Sequence, residues 1–253
     1  MRLRKNDLFW ETHAMRLYNV GLVGETHAMR LYNKHNPCIF CTFASAMNNT
    51  IDKNLITYVE QEILPCYDHF DTAHQRNHAE EVIARSLALA EHYDVIINMV
   101  YAIAAYHDTG LCEGRDTHHL VSGRIIREDR RLREWFDETQ IETMAQAAED
   151  HRASSGHEPR SIYGKIVAEA DRLITPEKVI RRTIQFTQDH YPEYDKEQQY
   201  QRFREHLLEK YSDKGYLRLW IPESDNAARL EELRTIIRDE NKMREAFEKL
   251  FPH

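Results

Sequence analysis

Glycine and proline are scarce, eight and seven in 253 residues. With so few backbone breakers, the chain has room for long uninterrupted helices. Positive charge is in deficit: the formal net charge is -8. That argues against general binding to nucleic-acid polymers through phosphate neutralisation, while leaving room for a local basic pocket. No apolar run approaches the ~20 residues that a membrane helix needs, so no membrane partner is expected. No stretch alternates with period two for long enough to argue for a sheet. Four cysteines are too few for a disulfide scaffold and suit a reducing cytoplasm. The basic start (Arg2, Arg4, Lys5) gains no apolar core, because Glu11, His13 and Arg16 interrupt it. No secretory signal is therefore expected.

What is present begins with a duplication. ETHAMRLYN stands at residues 11–19 and, identically, at 25–33. A structural repeat drifts, recurs and spans a whole supersecondary unit; a short perfect copy does not resemble one. Residues 1–46 are expected to be a non-native or disordered extension, with the natural start at Met47. Cys38 and Cys41 form a CxxC pair without a second pair, since Cys66 and Cys112 stand alone. It is read as incidental.

From Met47 the pattern is helical. Ile56, Val59, Ile63 and Leu64 share a face up to Pro65, which is expected to stop the helix. A polar loop leads to His78, and Val82, Ile83, Leu87, Leu89 and Ala90 mark the next apolar face. Asp94 is positioned to cap VIINMVYAIAAYH, apolar nearly all round and hence a central buried helix. It ends at His107-Asp108, with Gly110 as a stop signal. Further helices are read over Thr117–Glu128, Glu138–Asp150, from Ser161, and from Pro176 almost to the end. Ile180, Ile184 and Phe186 are expected to continue the core. The fold class is all-α, with one domain over residues 47–253 whose motif core spans 70–173.

The chemistry is concentrated in His78, His107, Asp108 and Asp171. Neutral imidazole and ionised carboxylate together suit a divalent cation: Mn, Fe, Co, Mg or Zn. Four ligands from three helices can converge in a bundle core. A cation held there acidifies a water and polarises a phosphoryl oxygen. Besides Asp108, Glu113 and Asp116 are the carboxylates placed to take or orient a proton. Arg76, Arg115 and Lys165 are the nearest cations for a phosphate substrate. Lys165, six residues before Asp171, should flank the site. Arg172 is expected to bond a neighbouring helix end, and His74 to support His78 from its loop.

His78, then His107-Asp108, then Asp171 resembles the H…HD…D signature of the HD-domain superfamily, at spacings of 29 and 63 residues. The flanks AHQRNHAEEVI, DHRASSGHEPRSIYGKIVAEADRL and AARLEELRTIIRDENKMREAF extend the resemblance, which is strongest to small bacterial single-domain hydrolases. It implies an all-helical fold, a divalent metal on those four residues, and hydrolysis of a phosphate ester or phosphoanhydride of a small metabolite, above all a nucleotide. It leaves homo-oligomerisation open. Where that group carries an acidic pair before ADRL, Glu169 stands in place of the first Asp. A two-metal site of this superfamily would draw further histidines from between the HD pair and the last Asp: His118, His119 or His151. His151 is alternatively a substrate contact. Two other functions stay open: a di-iron oxygenase, and a non-catalytic nucleotide-binding protein.

Overall fold

The computed structural model describes residues 50–70 and 74–252. The duplicated ETHAMRLYN, the Cys38–Cys41 pair and Met47 lie outside the described residues. Among the described residues there are ten α-helices and no strand, so the chain is all-α. They are α1 Lys53–Tyr58, α2 Arg76–Ala90, α3 Ile97–Tyr106, α4 His118–Glu128, α5 Glu138–Glu149, α6 Ile162–Asp171, α7 Pro176–His190, α8 Lys196–Tyr211, α9 Asn226–Ile237 and α10 Glu240–Leu250.

Helix α3 is the axis of the first core. Every residue from Met99 to Tyr106 is buried. Such a segment cannot face water on any side, and α2, α5 and α6 pack around it. Its cap is not Asp94. Ile96 occupies the cap position, and its N–H donates to the Tyr163 hydroxyl of α6 at 2.9 Å. A neighbouring helix thus satisfies the orphan donor that a local side chain was expected to take. Pro65 does not end helical structure either. α1 runs into a π-turn at Val59–Ile63 and then a 3-10 helix, Leu64–His69, with Pro65 near its N-terminus, where a missing N–H costs nothing. α5 and α8 each open on a full capping box, Asp137 with Gln140 and Asp195 with Gln198.

A second core joins α7, α8, α9 and α10 through Ile184, Phe203, Leu207, Leu233 and Phe247. Phe186, expected there, is exposed and stacks on His190 with ring centroids 3.9 Å apart. Two residues past Ile184 is about 200° around the helix, which turns Phe186 to the opposite side. Buried polar contacts tie the two halves. Glu169 of α6 accepts from the Trp220 N–H at 2.7 Å and from Asn226 Nδ2 at 2.8 Å. Both Glu169 and Asn226 are fully buried. An unpaired charge there would be costly, so these bonds fix the register of α9 on α6.

Candidate metal centre

The His-Asp pair falls where α3 stops. His107 is the C-cap of α3, still at helical dihedrals, and Asp108 leaves them at φ -109°, ψ 5°. Tyr67, from the 3-10 helix, holds this corner. Its hydroxyl donates to the Ala105 carbonyl at 2.9 Å and accepts the Asp108 N–H at 3.2 Å. Gly110 follows, but not for its conformational freedom: Gly114 carries the only positive glycine φ among the described residues. Gly110 is needed for space. A Cβ there would lie 2.0 Å from the His118 carbonyl oxygen, and the Gly110 N–H donates to Ser122 Oγ at 2.9 Å. The glycine lets α4 approach closely enough to bring His118 to Asp108.

His107, His118 and His151 are set up alike. Each Nδ1 lies 2.6–2.7 Å from the backbone carbonyl three residues earlier: Ala104, Arg115 and Ala148. A carbonyl can only accept, so Nδ1 donates, and in the neutral ring Nε2 keeps its lone pair. The Nε2 atoms converge in two groups. In the first, His78 Nε2 lies 3.4 Å from His107 Nε2 and 3.2 Å from Asp171 Oδ1. Asp108 Oδ2 joins them, 3.2 Å from His107 and 3.6 Å from His78. In the second, His118 and His151 face each other at 3.3 Å, with Asp108 Oδ1 at 3.4 and 3.3 Å. Asp108 therefore turns one oxygen to each group.

The donor set fits metal cations. Lone pairs directed at one another need something positive between them. Ligand atoms ~2.1 Å from a cation sit ~3.0–3.4 Å apart for right-angled to tetrahedral arrangements, close to the spacings here. His107, Asp108 and His151 are almost wholly buried, whereas the Asp171 side chain is 26% exposed and marks the accessible edge. Burial opposes charging of His78, but the Asp108 and Asp171 carboxylates outweigh it and push its pKa up to about 9. Burial likewise opposes ionisation of Asp108, yet the surrounding histidines hold it well below the ordinary carboxylate range. The pocket is built around negative charge, the field that a cation neutralises.

The other expected site residues fall differently. His151 lies in the donor cluster itself, with His118 and Asp108. Glu113 is exposed and bonded to Arg124, which takes it away from the centre. Asp116 is exposed, and its carbonyl, not its carboxylate, is engaged, by Arg152. Arg76 is paired with Glu80 one turn on, at 2.9 Å, and Lys165 with Glu158; neither charge is directed at the centre. Arg115 instead stands 6.0 Å above the Phe186 ring. Arg172 bonds the Ala168 carbonyl of its own helix rather than a neighbouring helix. His74 sits edge-on to His78, with ring centroids 5.8 Å apart. His118 is the one of the His118-His119 pair that turns inward. The Nδ1 of His119 is buried without a partner, and burial pushes that ring's pKa down to about 4. Tyr67 was not legible in advance, because nothing local marks a tyrosine that corrects a helix end 38 residues later.

Residues 76–175 match the family described as HD domain, a span that includes all six converging donor residues. No curated protein and no solved structure matches the chain.

Proposed function

We propose, from the match of residues 76–175 to the HD-domain family and the donor geometry above, that the chain is a metal-dependent phosphohydrolase acting on a small phosphorylated metabolite, a nucleotide first among them. The observation that carries this reading is the division of Asp108 between two donor groups. His78, His107 and Asp171 would hold one divalent cation with Asp108 Oδ2, and His118 and His151 a second with Asp108 Oδ1. Bound there, such cations supply an acidified water and a polarised phosphoryl oxygen. The protein's own part is positional. The three carbonyl-anchored imidazoles cannot rotate away, burial excludes bulk water from Asp108, and the exposed side of Asp171 leaves one approach for the ester. No described helix is long and apolar enough to cross a membrane. Cys66 and Cys112 are free thiols, in keeping with a cytoplasmic setting.

The test is phosphate release from nucleotides and sugar phosphates with Mn, Co, Mg and Fe, together with metal content. Asp108→Ala is expected to lose both metals and all turnover, and His151→Ala to retain one metal of two. Undiminished phosphate release by Asp108→Ala would overturn the site. The six-ligand set also favours a second reading, a di-iron oxygenase. Two irons per chain with substrate-dependent oxygen uptake, and no phosphate release, would select it.

A further inference from the structure

Three successive carbonyls at the end of α3 each meet a side chain. His107 Nδ1 lies 2.7 Å from the Ala104 oxygen, the Tyr67 hydroxyl donates to Ala105 at 2.9 Å, and Thr109 Oγ1 donates to Tyr106 at 2.8 Å. In a continuing helix these oxygens would receive the N–H groups of residues 108, 109 and 110. Two of those N–H groups point elsewhere. That of Asp108 donates to the Tyr67 hydroxyl oxygen at 3.2 Å, and that of Gly110 to Ser122 Oγ at 2.9 Å. His107 and Thr109 act within their own turn. Tyr67 comes from a distant segment, and its one hydroxyl bonds the main chain on both sides of His107.

The departure from the helix matters for Asp108. Consecutive residues of a helix point about 100° apart, which would splay His107 and Asp108. With Asp108 at φ -109°, ψ 5°, its Oδ2 comes 3.2 Å from His107 Nε2. Its Oδ1 then stands 3.4 Å from His118 and 3.3 Å from His151. Tyr67 is itself held by packing. Its ring is fully buried, edge-on to Phe70 with centroids 5.4 Å apart, and 6.3 Å from the His107 ring. Phenylalanine would fill the same space. The hydroxyl is what tyrosine adds, and both of its bonds go to the main chain of the His-Asp corner.

We propose that Tyr67 is a positioning residue of the metal centre: its hydroxyl turns Asp108 out of the helix so that one carboxylate serves both donor groups. This rests on reading the two groups as cation sites and adds which residue outside them sets their sharing. Without the hydroxyl, Asp108 is the donor displaced. The first group keeps His78, His107 and Asp171, but the second keeps only His118 and His151. The second cation is therefore the one that suffers. Loss of a residue that orients a metal ligand weakens metal binding about 10- to 100-fold.

The test is titration of the full-length protein with cobalt(II), followed by visible absorption and elemental analysis. Wild type is expected to take up two ions. Tyr67→Phe should bind the second about tenfold or more weakly and the first within about threefold of wild type, with altered cobalt absorption bands. Tyr200→Phe is the control for a lost hydroxyl: it removes a 2.7 Å bond to Glu240 in the second core. It should bind both ions as wild type does, even where it melts as low as Tyr67→Phe. In the metal-free protein the Asp108 amide should exchange its hydrogen faster in Tyr67→Phe and at the wild-type rate in Tyr200→Phe. A second ion held by Tyr67→Phe within about twofold of wild type, or the same weakening in Tyr200→Phe, overturns the assignment. A wild type that takes up no cobalt overturns both it and the metal centre. Failure of the hydrolase reading looks different: cobalt still binds in a Tyr67-dependent way, but no phosphate ester is turned over.

Discussion

Three histidines of the centre share a device that costs one backbone bond each. Nδ1 is tied to the carbonyl of residue i−3, so the tautomer and ring angle are set before any cation arrives. Other histidines show what the fold does to a ring without that role. His206 of α8 is largely buried, and burial first, then Lys210 and Arg202, push its pKa down to about 4. The sign follows from proton binding. Between pH 6.5 and 4 the unfolded chain takes up a proton that the folded chain refuses, so stability falls as the pH falls. The full shift corresponds to roughly 3 kcal/mol by the linkage relation. His206→Gln is therefore expected to flatten the acid limb of stability against pH in urea titrations from pH 7 to 4. An unchanged slope would show that His206 titrates normally.

Elements meet at the centre through corners rather than through helix middles. α3 ends at Tyr106, the chain turns through a 3-10 segment at Thr109–Glu113, and α4 begins at His118. The turn works because Gly110 lies against the start of α4. Gly110→Ala would force its methyl group into the His118 carbonyl, and α4 would have to shift outward. Overpacking of this kind costs about 1–3 kcal/mol. The expected outcome is a lower melting temperature together with selective loss of the second metal, read by elemental analysis, because His118 moves while His78, His107 and Asp171 do not. Loss of both metals in equal measure would mean that the corner supports the whole centre instead.

At the scale of the molecule, the converging donors come from the helices of the first core, and the C-terminal helices build a second core of their own. The join between them is polar and buried, through Glu169, Asn226 and Trp220. That join sits two residues from Asp171, so docking of the C-terminal helices and placement of a ligand are one event. All of these contacts lie among the described residues. A chain beginning at Met47 is expected to keep the metal content and melting temperature of the full chain. A fall in either on trimming would show that the duplicated segment belongs to the working protein.

The all-helical fold and four of the converging donor side chains were legible in the sequence alone, and for local reasons. A 3.6-residue apolar period is a property of the segment that carries it, as in Val82, Ile83, Leu89 and Ala90. The donor chemistry of His78, His107, Asp108 and Asp171 likewise does not depend on context. Only the tertiary structure decided how those donors are shared. Whether His118 or His119 turns inward depends on how α4 rolls against α5. That Asp108 serves two groups depends on where its two oxygens point after α3 ends. Which cations remain unspent depends on who their neighbours are: Arg76 and Lys165 stand near the motif in sequence but are neutralised locally. The centre returns from tertiary structure as two groups of donors joined by Asp108, because convergence of side chains from five helices is not written in the period of any one of them.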